Sequence, residues 1–186
     1  MKIGITGVFG SGKTTIAKLF TNYKHINADL IGHRLLNERS IKNKIIKTFG
    51  KSLLTKNKID RKKLKNIVFN NHKELIKLNK IIHPPIINEI KAIIKKDKTI
   101  IIDGALLIET RSTKLFDKLI VVKINKKEQL KRVLRKKKYT KREIQNILKS
   151  QLSQKEKLKY ADIVIDNSKG VNNTKKQVVK ILKELK

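Results

Sequence analysis

The chain has no cysteine among its 186 residues, which excludes a disulfide framework, a thiol nucleophile and a thiolate metal site. No apolar run approaches the roughly 20 residues that a membrane-spanning helix needs. The first strand reads from residue 2 or 3 and leaves no room for a signal peptide, so the expectation is a soluble cytoplasmic protein with no membrane partner. Acidic side chains are scarce: 15 Asp and Glu stand against 47 Lys and Arg, a formal net charge of +32. Such an excess attracts anions. Yet aromatic residues make up only 4% of the chain, and proteins that stack bases interleave aromatics with their basic residues. The basic residues are spread along the whole chain and come with abundant Ile and Asn. A general drift in composition therefore explains the charge better than a dedicated nucleic-acid surface.

What is present is a phosphate-binding loop. Gly7-Val8-Phe9-Gly10-Ser11-Gly12-Lys13-Thr14 matches G-x-x-x-x-G-K-[ST], and it follows a strand-like run, Ile3 to Thr6, and precedes a helical pattern from Thr15 to Phe20. A loop that wraps a triphosphate must turn backbone N–H groups inward, which glycine permits. Gly10, Ser11, Gly12, Lys13, Thr14 and Thr15 are the expected nucleotide-binding residues. Lys13 can reach the β- and γ-phosphates, the helix N-terminus adds its dipole, and the Thr14 hydroxyl can ligate Mg²⁺.

Further along, His25 to Ala28 reads as a second strand ending at Asp29. A carboxylate at the carboxyl end of a parallel strand faces the ligand crevice, where it could orient an attacking hydroxyl or accept its proton. Capping a helix that starts at Leu30 would explain Asp29 equally well. From Leu30 to Lys98 the spacing is helical nearly throughout, with helices over Ile41–Phe49, Arg61–Asn70, His72–Ile82 and Pro85–Ile94. Turn residues at Gly50-Lys51-Ser52 and Asn57-Lys58 separate them, and Pro84-Pro85 opens the last. Asp60 reads as a helix cap. Thr99 to Asp103 is a continuous β-branched strand with an acid at its end, the pattern of a Walker B aspartate that holds Mg²⁺ opposite Thr14. Leu119–Ile124 and Asp162–Asn167 supply a fourth and a fifth strand. Between them lies a basic helix over Glu128–Lys138 and another over Lys141–Leu152, and a terminal helix over Asn173–Leu185 closes the chain.

The fold class that follows is α/β: a five-stranded parallel sheet flanked by helices, one P-loop kinase domain over residues 1–186. Its core is 1–29, 99–125 and 160–186, a helical insertion at 30–98 receives the acceptor substrate, and residues 126–154 form a lid. A guanine-nucleotide switch is disfavoured, because Asn125-Lys126-Lys127-Glu128 ends in Glu where N-K-x-D needs Asp, and no D-x-x-G follows Asp103. A nucleoside monophosphate kinase or other small-molecule kinase, and less so a nucleic-acid-binding ATPase, remain as alternatives.

The chain resembles the dephospho-CoA kinase family almost end to end. The resemblance is carried by Ile5 through Thr15, Asn27-Ala28-Asp29, Phe49-Gly50, Ile59-Asp60-Arg61, Val68-Phe69 and His83-Pro84. It continues through Leu106-Leu107 with Glu109, Gln151 with Lys157, and Ala161 to Asn167. It implies ATP as co-substrate with Mg²⁺, and transfer of the γ-phosphate to the ribose 3′-hydroxyl of dephospho-CoA; a monomer or weak homo-oligomer is the expectation. By the same resemblance Asp29 is the base or orienter, Arg61 binds the acceptor, Arg132 contacts phosphate from the lid, and Asn167 lies near adenine. The pattern departs from the family at Asn27, where the family has the first acid of D-A-D, at Ala105 in place of proline, and at Lys136 and Asn146 in place of lid arginines.

Overall fold

Short β-branched runs and the amphipathic stretches between them settle into alternating strands and helices. The computed structural model describes residues 1–135, 137 and 139–185. In chain order the elements begin with β1 (Lys2–Thr6), α1 (Lys13–Ala17), β2 (Lys24–Asn27), α2 (Ala28–Leu35) and α3 (Arg39–Phe49). Then come β3 (Leu54–Thr55), β4 (Lys58–Ile59), α4 (Arg61–Asn70), α5 (His72–Lys96), β5 (Ile100–Asp103) and β6 (Lys118–Lys123). The last are α6 (Lys126–Arg135), α7 (Lys141–Lys149), α8 (Gln154–Leu158), β7 (Ile163–Asp166) and α9 (Val171–Glu184).

Five strands form one sheet in the order β2-β5-β1-β6-β7, and every neighbouring pair is parallel. A parallel sheet covered on both faces needs apolar residues on both, which is why Ile100, Ile101 and Ile102 read as an unbroken run and are all 0% exposed. Ile3, Ile5, Ile16, Phe20, Ile120, Val122, Ile165 and Val178 make the main core cluster. Burying each such aliphatic side chain contributes about 1.5–3 kcal/mol. The register sets Ile5 and Asn27 each beside Asp103, and Thr6 beside Val121. The P-loop, Asp103 and Asn27 therefore share the carboxyl edge of the sheet, where ligands of open α/β folds bind.

The chain divides into two compact units, Met1–Asn27 with Ile93–Lys186, and Ala28–Ala92. In the second, Ile41, Ile45, Leu53, Leu64, Val68 and Ile90 are buried. Its fold differs from the sequence expectation in three places. The turn residues around Asn57 close a two-residue antiparallel hairpin, β3 with β4. Lys56 and Asn57 both take left-handed backbone, φ 48° and 58°, as a type I′ connection requires. The two helices expected on either side of Pro84-Pro85 are one helix, α5, with both prolines inside it. Pro84 is exposed, so water can take the carbonyl that its missing N–H leaves, while buried Ile82, Ile90 and Ile94 keep the helix packed on either side. Asp29 neither ends a strand nor caps a helix: α2 already starts at Ala28, and Asp29 sits in its first turn, where the helix dipole favours a carboxylate. Asp60 does cap α4, its Oδ1 accepting from Lys62 N at 2.9 Å and Lys63 N at 3.2 Å.

Candidate active site

The loop between β1 and α1 gets its shape from glycines. Gly10 and Gly12 have φ of 80° and 94°, left-handed values that L side chains rarely adopt. Space forbids a side chain as well, since a Cβ on Gly10 would strike Val133 and one on Gly12 would strike the Asn167 amide. Ser11 N donates to Val8 O at 3.1 Å and closes the turn, and Ser11 itself is buried. Lys13 opens α1; its Nζ lies 3.4 Å from Val8 O, longer than the usual ~2.7–3.2 Å for such a bond. An anion in the loop would outcompete that carbonyl. Thr14 and Thr15 are exposed at the helix start.

Behind Thr14 lies Asp103, fully buried at the end of β5. Thr14 Oγ1 donates to Asp103 Oδ2 at 2.6 Å, Asn27 Nδ2 donates to the same oxygen at 3.0 Å, and His25 Nε2 stands 2.6 Å from Oδ1. A buried carboxylate needs donors in place of water, and three surround this one. Among the described residues no group of three or more His, Cys, Asp or Glu is placed to hold a metal ion by itself.

Elements from β6 onward grip the loop from the other side. Gln129 Nε2 on α6 donates to Phe9 O at 2.6 Å, and Phe9 N donates to Gln151 Oε1, just beyond α7, at 3.0 Å. The Phe9 N–H is therefore engaged rather than turned to a phosphate, as the Ser11 N–H is by Val8 O. The Phe9 ring meets Tyr139 edge-on at 5.1 Å. Arg132 Nε donates to Glu128 at 2.8 Å, and its guanidinium would lie 3.9 Å from a Cβ on Gly12. Asn167, expected near adenine, is buried with its amide engaged at both ends: Nδ2 donates to Ser11 O at 2.7 Å and Oδ1 accepts from Thr174 at 2.8 Å. Lys157, 0% exposed, donates to both Glu109 oxygens and to Ala105 O; burial holds its pKa below the usual lysine range, with Glu109 opposing.

In the second unit Asp29 and Arg61 are exposed. Arg61 Nη2 donates to Nε2 of His33 at 2.9 Å. Burial first, then the Arg61 charge, holds the His33 pKa below its ordinary value, and Asp29 acts in the opposite direction.

Comparison with known proteins gives the family. The family model for dephospho-CoA kinase (CoaE) matches residues 1–173. The chain belongs to the dephospho-CoA kinase family. A dephospho-CoA kinase of Fusobacterium nucleatum is 43% identical over 183 residues, covering 96% of this chain and 95% of that one. Among solved structures, a dephospho-CoA kinase from Campylobacter jejuni is 31% identical, with a TM-score of 0.70 over 100% of this chain and 98% of its own. A Thermus thermophilus protein shares the fold with a TM-score of 0.83 at 24% identity, over 100% of this chain and 98% of that one.

Against the dephospho-CoA kinase pattern, the departure at Asn27 has a local consequence. An acid there would set two carboxylates side by side, whereas Asn27 donates to Asp103 and to Thr14 Oγ1, the latter at 3.2 Å. Asn146 lies in α7, and the departure at Lys136 lies outside the described residues. Sequence reading assigned no role to His25, His33, Gln129 or Thr174. His25 and Asn27 are two polar residues at alternate positions of one strand, the signal that would have marked a shared face.

Proposed function

We propose that this chain transfers the γ-phosphate of ATP to the ribose 3′-hydroxyl of dephospho-CoA, giving coenzyme A, as a cytoplasmic monomer or weak homo-oligomer without a dedicated nucleic-acid partner. The reading rests on family membership. The geometry that supports it best is the Thr14–Asp103 hydrogen bond of 2.6 Å at the foot of the P-loop. We assign residues 1–29, 99–125 and 160–186 to the core, 30–98 to the acceptor and 126–154 to the lid.

The loop from Gly10 to Thr15 and the Lys13 ammonium hold the phosphates of ATP, and Asn167 serves the nucleotide through the loop it fixes. An exposed hydroxyl backed by a buried carboxylate suits Mg²⁺, which Thr14 would hold with Asp103 behind it; when bound, the ion neutralises charge on the phosphates. Arg61 draws in the acceptor. Asp29 orients the 3′-hydroxyl and takes its proton as that oxygen bonds to the γ-phosphorus and the bond to the ADP oxygen breaks. Arg132 neutralises charge on the transferring group. Catalysis is thus mostly positioning and charge balance. A guanine-specific reading is disfavoured further, because Asn125 Oδ1 accepts from Glu128 N at 2.7 Å and so caps α6.

Incubating the protein with Mg-ATP and dephospho-CoA, AMP, UMP or CMP in parallel tests the acceptor. Phosphate should appear on dephospho-CoA alone; preferential labelling of a nucleoside monophosphate would overturn the assignment.

A further inference from the structure

The roles above leave His25 unused. It stands two residues before Asn27 on β2, so both side chains leave the strand on one face. The parallel register puts Asn27 opposite Asp103 and His25 opposite Ile101. From that diagonal position His25 Nε2 lies 2.6 Å from Asp103 Oδ1, while Oδ2 receives Thr14 and Asn27 at 2.6 and 3.0 Å. An ionised carboxylate only accepts, so the contact places a proton on Nε2, and imidazole donates to Asp103.

The two carboxylate oxygens therefore have different employment. Oδ2 faces the residue that opens the nucleotide site; Oδ1 faces only this histidine among the contacts above. Rotation about the terminal bond of an aspartate is broad and soft, and bonds to Oδ2 alone would let the carboxylate plane swing about that atom. A second, short bond to Oδ1 removes the freedom. Thr14 Oγ1, already spending its proton on Oδ2 and accepting from Asn27 Nδ2, then keeps its remaining lone pair in one direction.

We propose that His25 is a positioning residue for phosphoryl transfer: it locks the plane of the Asp103 carboxylate and, through it, the direction in which the Thr14 hydroxyl presents its remaining lone pair. This rests on the assignment of Thr14 and Asp103 as the pair that supports the ion bound with the nucleotide. Groups that orient a metal-supporting side chain typically contribute about 10–100-fold to ion affinity, and His25 should fall at the lower end because Thr14 and Asn27 remain.

The test uses the whole protein in three variants, His25→Ala, His25→Gln and Asp103→Asn, each checked by its melting temperature. The first readout needs no turnover: Mn²⁺ affinity in the presence of ADP, measured by electron paramagnetic resonance. The second is the Mg²⁺ concentration for half-maximal rate, beside KM for dephospho-CoA. His25→Ala should weaken Mn²⁺ binding about tenfold and raise the Mg²⁺ requirement similarly, leaving KM for the acceptor unchanged. His25→Gln, whose amide can donate to Oδ1, should recover most of both. Parental Mn²⁺ affinity in His25→Ala would overturn the proposal, and so would a loss that His25→Gln does not relieve. Parental affinity in Asp103→Asn would instead overturn the underlying assignment of Thr14 and Asp103.

Discussion

In the unit built on the parallel sheet, several polar side chains around the P-loop are buried and partnered: Asp103 and Lys157 are 0% exposed, Asn167 6% and Gln129 8%. In the unit of residues 28–92, Asp29 and Arg61 are exposed, and the ion pairs of Arg34 with Glu38 and Glu89 also involve a largely exposed arginine. The difference matters because charges in water interact weakly and gain strength only when a ligand displaces the solvent. On the proposed function, the first unit has its nucleotide geometry fixed by folding, and the second holds charges whose worth would appear when the acceptor arrives. Substitutions in the two units should therefore separate: stability and nucleotide affinity on one side, turnover alone on the other.

The largest expected effect tests the exposed side. Asp29→Ala should lower kcat by about 10²–10⁴, the usual contribution of a positioned acid–base group, with ATP affinity and melting temperature at parental values. Turnover within a few-fold of the parent would remove Asp29 from the chemistry. On the buried side, Lys13→Ala should lower kcat by about 10²–10³, the scale of a lost oxyanion donor, and weaken ATP as well, measured by steady-state kinetics and calorimetric titration. Unchanged kinetics would contradict the loop assignment.

Next in size is a stability effect. Lys157→Met leaves Glu109 with a backbone donor, Leu152 N, but without its cation, and breaking one side of a buried pair costs about 3–5 kcal/mol. Urea unfolding should show the loss, and adding Glu109→Leu should restore a large part of it. A double variant no more stable than Lys157→Met would mean that the Ala105 and Leu152 contacts, rather than the buried charge, set the cost.

The two units also differed in how much their sequence disclosed. The sheet was legible because its strands are continuous β-branched runs and the P-loop fixes where the first one ends. The order of strands is a tertiary fact, so the pairing of β2 with β5 that joins His25 to Asp103 had no local signature. In the helical unit, a hairpin of two residues per strand is too short to show alternation. Pro84-Pro85 carries the ordinary meaning of a helix start, which the packing of Ile82, Ile90 and Ile94 overrode. Among the site residues, the glycines and Lys13 could be read from spacing, since phosphate binding dictates them. Asn167 could be placed only approximately, because its partners Ser11 and Thr174 are brought to it by the fold.

The smallest effect belongs to His33, a partly buried group of the second unit with a charged partner. Arg61 donates to His33 Nε2, so that nitrogen must be unprotonated, and burial followed by the Arg61 charge holds the His33 pKa below its ordinary value near 6.5 despite Asp29. Between the folded and unfolded pKa values the unfolded chain binds more protons, so stability rises with pH through that window. The contribution is complete above about pH 6.5 and is lost as pH falls through the folded value. Protonation also breaks the bond to Arg61 and sets two cations side by side. KM for dephospho-CoA should therefore rise on the acid side while KM for ATP stays level, and His33→Asn, whose carbonyl can still accept from Arg61, should flatten the rise. Proton NMR of the His33 ring checks the cause: a midpoint above about 6.5 would show that the Asp29 charge, rather than burial and Arg61, governs this corner of the molecule.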